Sequence, residues 1–384
     1  MRILFLALDV NLNGRTGDSI HTRELVVSLS GAGQEVALVG SAPEGLDEDV
    51  SNIFEEAGVS VHIPKSTGNL ATLRFCSRIT REFRPEVIYE RRFSPKLGAG
   101  LSMLHKLPLV VEVNGLLEEE LEIQGRGEEA RKVSGKARKS LRKRFFDRAG
   151  KIVAVTDGIK TGLEGLYNIP SGKITVVHNG ANTNLFRPMD KSSCREKLGL
   201  DADKHYLCFV GILLWWQGVD DIIRAVPKVE ENIPGVDLMI VGDGAQRKEL
   251  EDLVQDLGLS ESVHFTGRVP YEKVPIYMNA SDVCLAPKRV LSSGYSPLKL
   301  YEYMACGKPV IASRVAGFEI LEKGAGLLFE PENVDDLSSN IVKVLSDREL
   351  MDSMGVEGRR IVEKEYSWRA VGERISSLLR EVAS

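Results

Sequence analysis

The chain has only five cysteines among its 384 residues (Cys76, Cys194, Cys208, Cys284, Cys306), scattered and with no Cys-x-x-Cys pair. That argues against a disulfide framework or a structural zinc site and for a reducing, cytoplasmic setting. No apolar run approaches the ~20 residues that a membrane-spanning helix needs. Ile3–Leu8 is broken off by Asp9 with no small-residue cleavage site behind it, so it reads as a first strand rather than a signal peptide. No Gly-x-Gly-x-x-Gly follows that strand, because Asp9–Asp18 (DVNLNGRTGD) has glycines only at Gly14 and Gly17, which counts against a dinucleotide-dependent oxidoreductase. A Gly-Lys-Ser/Thr phosphate loop is also missing. The Asp-x-Asp triplets at Asp47–Asp49 and Asp201–Asp203 fall in polar turns, so no metal site is expected. Basic excess is lacking too: the net charge of −5 excludes a generally basic nucleic-acid binder.

What the sequence does contain is a recurrent alternation of short apolar runs with helix-length amphipathic stretches. The runs of the first half are Arg2–Leu8, Glu35–Val39, Val59–Ile63, Val87–Tyr89, Leu109–Val113, Lys151–Val155 and Ile174–Val177. Those of the second are Tyr206–Val210, Asp237–Val241, Val263–Thr266, Val283–Ala286, Pro309–Ala312 and Gly326–Phe329. Most are continuous rather than alternating, as parallel strands covered on both faces require. The pattern pauses at Asn182–Ser193, a polar stretch with Pro188. The expected fold is therefore α/β, with two doubly wound Rossmann-like domains, 1–184 and 185–367, facing a cleft.

Ligands of such sheets bind beyond the carboxyl ends of the strands. The most informative segment there is Ser293–Pro309 (SGYSPLKLYEYMACGKP). Ser296 and Pro297 read as N-cap and first helical residue, and Gly307 and Pro309 as the stop. The amides of Leu298 and Lys299, with the helix dipole, would make an anion site suited to phosphate. Lys299 and Glu302 are three residues apart, hence neighbours on one face. A cation beside phosphates and a carboxylate one turn deeper suit a nucleoside diphosphate; an exposed surface pair is the plainer alternative.

Ser296–Val310 (SPLKLYEYMACGKPV) closely resembles the signature helix of the retaining family-four glycosyltransferases of GT-B fold. Gly17–Val39, Val176–Pro188, Phe209–Ile223, Ile240–Gly244, Phe265–Pro287 and Tyr366–Trp368 also resemble segments of that family, in the same order. The resemblance implies transfer of a sugar from a nucleotide-diphospho-sugar donor to an acceptor hydroxyl, with retained anomeric configuration and no metal or other cofactor. It implies that Glu302 holds the ribose, and that the amides after Ser296, at Leu298 and Lys299, hold the diphosphate. Gly17 would let the first loop approach the donor, Arg268 would border the base, and residues 368–384 would pack back on the first domain.

This chain departs from the family pattern at four positions. The glutamate eight residues before Glu302 is replaced by Gly294, and the basic positions of the loop Gly211–Gly218 are Ile212 and Gln217. Asn114 stands where the family often has a histidine. Lys299 is a replacement charge, and Lys288 and Arg289 lie in the preceding loop. Trp215 and Trp216 offer stacking surface or serve as core. After Val87–Tyr89 come Glu90, Arg91 and Arg92, which read either as a surface ion pair or, through Arg91, as a contact to acceptor or phosphate. Arg131–Arg148 carries nine Arg and Lys against one Asp, with Val133, Ala137, Leu141 and Phe145 every four residues. This stripe suits either a helix on an anionic membrane, near a glycan, lipid-linked or protein acceptor, or an ordinary helix packed on its sheet. A nucleotide-sugar epimerase and a degenerate, binding-only relative remain alternatives to the transferase.

Overall fold

The computed structural model describes residues 1–14, 16–65, 68–116, 128, 135–291 and 295–384, with only the backbone of Lys136 and Ala137. Gly294 and residues 131–134 of the basic segment lie outside the described residues. The chain divides into two compact units, Met1–Asn179 with Trp368–Ser384, and Gly180–Ser367.

In the first unit β1 (Arg2–Asn11), β2 (Glu35–Ser41), β3 (Ser60–His62), β4 (Val87–Arg91), β5 (Leu109–Val113), β6 (Lys151–Ala154) and β7 (Ile174–Val176) pair in the order β3-β2-β1-β4-β5-β6-β7. In the second, β8 (His205–Val210), β9 (Val236–Val241), β10 (Val263–Gly267), β11 (Val283–Ala286), β12 (Val310–Ser313) and β13 (Gly326–Phe329) pair as β10-β9-β8-β11-β12-β13. Every ladder in both sheets is parallel. Each apolar run named above lies on one of these strands, with small shifts at the ends. The continuous runs have a physical basis in the second sheet. Tyr206, Cys208 and Val210 of β8 enter one core, while Leu207 and Phe209 between them enter another. A strand buried on both faces has no polar side to alternate with. Both sheets are thus Rossmann-like, with the strand order reversing between β1 and β4 and between β8 and β11.

Asn182–Ser193 is folded into the second unit, which sets the division ahead of the expected 184/185. Phe186 is fully buried, Ala181 N donates to Tyr366 O, and the Arg359 guanidinium donates to the carbonyls of Phe186 and Thr183. The helix Trp368–Ala383 belongs to the first unit and lies on the helix Gly17–Gly31. Their approach is close: a Cβ on Gly372 would come within 2.6 Å of Ser28 Oγ. Trp368 meets His21 edge-on with ring centres 5.1 Å apart.

The basic helix differs from its expected form. It spans Lys136–Arg148, but the side chain it buries most unexpectedly is Arg142, 6 % exposed. This guanidinium lies over the Phe93 ring and donates to the Tyr167 hydroxyl, in the aromatic cluster that Phe146 completes. Leu141 is exposed instead. A stripe counted from apolar residues alone misses this contact, because the face of an aromatic ring accepts a guanidinium as well as a leucine. Val133 lies outside the described residues.

Candidate functional site

Glycine backbones shape the carboxyl end of the second sheet. Gly242, just after β9, has φ +142°, and a Cβ there would lie 1.8 Å from Gly211 O at the end of β8. Only glycine fits both the conformation and the contact. With the strand ends drawn together, the loop after β8 folds back: Leu213 N donates to Asp243 O and Leu213 is fully buried. The loop then makes a single turn at Trp215–Gln217 and enters the helix Val219–Glu230 through Gly218, at φ +63°. Trp215 and Trp216 meet edge-on, and Trp215 is largely exposed.

The loop after β11 is fastened to this one. Arg289 is held by Asp220 and Asp221 in the first turn of Val219–Glu230, and its backbone N–H donates to Trp216 O. Lys288 N donates to Ser313 Oγ on β12, and Tyr295 Oη donates to Arg289 O at 2.8 Å. So anchored, Lys288 points its ammonium at Gln217 Oε1, which accepts from it, and 5.0 Å from the centre of the Tyr295 ring. Burial, with the Lys299 charge nearby, pushes the Lys288 ammonium down to about 7.

Downstream lies the helix Leu298–Ala305. Its cap is Pro297 rather than Ser296: Pro297 sits at ψ 39°, outside the helix, and its carbonyl accepts the first turn's bond from Tyr301 N. The helix is buried along Leu300–Ala305, with Tyr301 stacked on Tyr366 and Tyr303 Oη accepting from Val210 N. Glu302 is therefore held rigidly at 5 % exposure. Lys299 Nζ donates to its Oε2 at 2.5 Å, and Tyr271 Oη to its Oε1 at 3.0 Å. A carboxylate offers about four acceptor positions, so two hydrogen bonds leave capacity for more. The surface-pair alternative does not describe this site, because the carboxylate is buried.

The structure thus brings Gln217, Lys299 and Glu302 together with Lys288 and Tyr271, at the end of the second sheet where its strand order reverses. Gly211 forms the root of the loop, and Ser296 and Leu298 flank the helix start. Arg268 is exposed beyond Gly267, which has φ +70°.

The other expected residues belong to the first unit. Glu112 on β5, 2 % exposed, accepts from His21 Nε2 at 2.7 Å and Asn114 Nδ2 at 2.6 Å through Oε1. Tyr89 Oη donates to its Oε2 at 2.5 Å, and Arg91 Nε lies 3.5 Å from Oε1. Arg91 also donates to Asp18 Oδ1 at 3.0 Å. Burial works against the Glu112 charge, but His21, Arg91 and Tyr89 prevail and hold its carboxyl down at about 2. Of the three residues read together there, Arg92 does form a surface ion pair, with Asp9 at 3.8 Å, whereas Glu90 is buried and accepts from Gly98 N, and burial raises its carboxyl to about 8. Gly17 opens the helix Gly17–Gly31 at an exposed position with open space around it. Near the carboxyl ends of β1, β2 and β4, a cavity of about 1050 Å3 is lined by Leu8, Ile63, Leu97 and the cations Lys65, Arg92 and Lys96.

Residues 16–185 match the description Glycosyltransferase Family 4, and residues 190–361 match Glycosyl transferases group 1. The chain belongs to the family 4 glycosyltransferases. A GDP-mannose-dependent monoacylated alpha-(1-6)-phosphatidylinositol monomannoside mannosyltransferase of Corynebacterium glutamicum is 34 % identical over 198 residues, 50 % of this chain and 51 % of that protein. The chain spans about half the length of the curated relatives it matches. Among solved structures, sucrose-phosphate synthase of Thermosynechococcus elongatus superposes with a TM-score of 0.77 at 22 % identity, covering 99 % of this chain and 98 % of that one. HepE of Anabaena in complex with UDP gives 0.77 at 21 %, over 99 % and 100 %. At such identities these two show the shared fold.

In this family 4 glycosyltransferase two contacts of the second unit escaped sequence reasoning. Tyr271 reaches Glu302 from the short 3-10 turn Tyr271–Lys273, which carries no spacing signal, and Lys288 reaches Gln217 across 71 residues. The Glu112 cluster also went unread, although a lone carboxylate in the apolar run LVVEV was a visible clue.

Proposed function

We propose that this chain transfers a sugar from a nucleoside-diphosphate sugar to an acceptor hydroxyl, with retention at the anomeric carbon. The observation that carries this reading is Glu302, buried, partly satisfied and one turn below the start of Leu298–Ala305, with Lys299 against it. The remaining acceptor positions of Glu302 take the ribose hydroxyls. Lys299 and the first-turn amides of Leu298 and Lys299 face the diphosphate. As the bond from sugar to diphosphate breaks, charge gathers on the leaving group, and donors fixed there lower the barrier. Arg268 borders the base, and Gly17, Arg91 and Asn114 serve the first-unit side of the reaction. The reading gives leaving-group neutralisation to side chains and amides, so activity should survive EDTA.

The cavity of the first unit suits an acceptor bearing a phosphate and an apolar portion, since its cations stand among leucine and isoleucine. Relatives named for phosphatidylinositol mannosides make a glycolipid the first acceptor to try. No helix among the described residues is long and apolar enough to cross a membrane. The exposed Arg138, Arg144 and Arg148 would then rest on an anionic cytoplasmic membrane face. The test is a thermal-shift screen with GDP-mannose, UDP-glucose and ADP- and dTDP-sugars, followed by turnover. A ligand at 100 times its Kd adds ~2.7 kcal/mol of stability. A shift with one donor and transfer of its sugar are expected. No shift with any nucleotide would overturn the reading, and tight binding without transfer or hydrolysis would favour a binding protein.

A further inference from the structure

We infer that Lys288 is a diphosphate-binding residue, forming with Lys299 a two-lysine cradle where the strand order of the second sheet reverses. The inference rests on the nucleoside-diphosphate reading above and adds a residue, a charge and a pH dependence to it.

Lys288 is placed at a cost the fold does not recover. Among the described residues it has no carboxylate within ion-pair distance, whereas its neighbour Arg289 takes Asp220 and Asp221, and Lys299 takes Glu302. Its ammonium is met by a neutral amide oxygen of Gln217 and the face of Tyr295. The backbone holds it there on three contacts: Lys288 N on Ser313 Oγ, Arg289 N on Trp216 O, and Tyr295 Oη on Arg289 O. A long, soluble side chain could escape to water, yet this one is drawn in beside a second lysine. Two cations gathered with one carboxylate, Glu302, which Lys299 already holds, leave an unbalanced positive charge, and an anion supplies the balance. The same corner offers the first-turn amides of Leu298–Ala305, so the anion that fits is one with several oxygens, as in a diphosphate.

The charged groups around Lys288 set its titration. The one that acts on it is Lys299 on Leu298–Ala305; of the carboxylates at this corner, Glu302 is held by Lys299, and Asp220, Asp221 and Glu332 lie against Arg289. Gln217, Tyr295 and Ser313 contribute no charge near neutrality. Without ligand, burial and Lys299 push the ammonium down to about 7. A bound diphosphate favours the charged form and so raises it again. Binding above pH 7 must then take up a proton, and affinity must fall as pH rises.

The experiment is calorimetric titration with GDP and with UDP at pH 6.5, 7.5 and 8.5, in buffers of differing ionisation enthalpy, on wild type, Lys288→Arg and Lys288→Met. Wild type is expected to bind one of the two with proton uptake that grows above pH 7 and with affinity weakening several-fold by pH 8.5. Lys288→Arg should bind without that uptake and with a flat profile, because arginine stays charged throughout. Lys288→Met should bind at least tenfold more weakly at pH 6.5. Its melting temperature without ligand should equal or exceed that of wild type, since it loses a half-buried cation that has no counter-charge among the described residues; a purely structural lysine would lower it. Unchanged affinity in Lys288→Met, or proton uptake persisting in Lys288→Arg, overturns the assignment while leaving the nucleotide reading intact. Failure of the wild type to bind GDP, UDP or, in the same assay, ADP or dTDP removes both.

Discussion

Glu112 of the first unit and Glu302 of the second are two versions of the same environment. Each is a buried carboxylate with a tyrosine hydroxyl on one oxygen and a cationic side chain close by. They differ in how completely they are satisfied. Glu112 takes donors from His21, Asn114 and Tyr89 with Arg91 in reach, drawn from β4, the end of β5 and the helix Gly17–Gly31. Glu302 takes two, and its lysine is more than a third exposed. Just beyond stands Lys288, which among the described residues has no carboxylate within ion-pair distance. A saturated polar cluster fixes how elements pack, and an unsaturated one is a site awaiting a partner. Buried polar groups cost stability unless hydrogen-bonded, so a cluster left incomplete is retained for a reason other than stability.

The largest expected effect lies at the saturated end. Glu112→Ala strands His21, Tyr89 and Arg91 without their common acceptor, and breaking a buried charged network costs on the order of 3–5 kcal/mol. Urea unfolding should show that loss. The pH dependence has a definite sign. The folded carboxyl is held at about 2, below its ordinary value, so its contribution is complete above the ordinary carboxylate range. It is lost as the pH falls toward the folded value. Wild-type urea midpoints should therefore drop between about pH 5 and 3 more steeply than those of Glu112→Gln. Parallel profiles would make Glu112 an ordinary carboxylate and dissolve the contrast.

At the unsaturated end the effects should fall on function. Lys299→Ala should lower kcat/KM by one to three powers of ten, on the order of 1.4–4 kcal/mol of transition-state stabilisation. Its urea midpoint should move little, because Lys299 is more than a third exposed and Glu302 keeps its hydrogen bond from Tyr271. Full activity in this variant would place the charge on Lys288 alone. Glu302→Ala should weaken nucleotide binding at least tenfold, since a hydrogen bond to a charged group contributes about 1.5–3 kcal/mol. An unchanged Kd by calorimetry would refute its contact with the ribose.

The same contrast explains what could be read from the sequence. Both sheets were legible because a strand covered on two faces writes a continuous apolar run, and each such run is a strand here. Lys299 and Glu302 were legible because three residues on one helix make neighbours without reference to the rest of the fold. The partners that define each cluster were not. His21 lies 91 residues from Glu112, Tyr271 lies 31 from Glu302, and Gln217 lies 71 from Lys288. Parallel sheets put crossovers between neighbouring strands, so residues meeting at strand ends are far apart in the chain by construction. Arg142 went unread for a different reason: counting only apolar residues leaves out a guanidinium that aromatic rings accept.

The smallest effect is also the most direct challenge to the contrast: converting the open site into a closed one. Gln217→Glu replaces the neutral acceptor of Lys288 with a carboxylate of nearly the same shape. The ammonium then gains a counter-charge already in contact, as Arg289 has in Asp221. Both side chains are only partly covered, so stability should rise by no more than about 1 kcal/mol, a gain of the size measured for partly exposed ion pairs. Lys288 should also stay protonated to higher pH, since an opposite charge nearby favours the charged form. The nucleotide should suffer, because the diphosphate must now compete with the introduced carboxylate for the same ammonium and approach that negative charge as it does so. Several-fold weaker binding of GDP or UDP, together with a flatter pH profile, is the expected result by calorimetry. Equal or tighter binding in Gln217→Glu would show that the missing counter-charge on Lys288 is not what reserves this corner for a ligand.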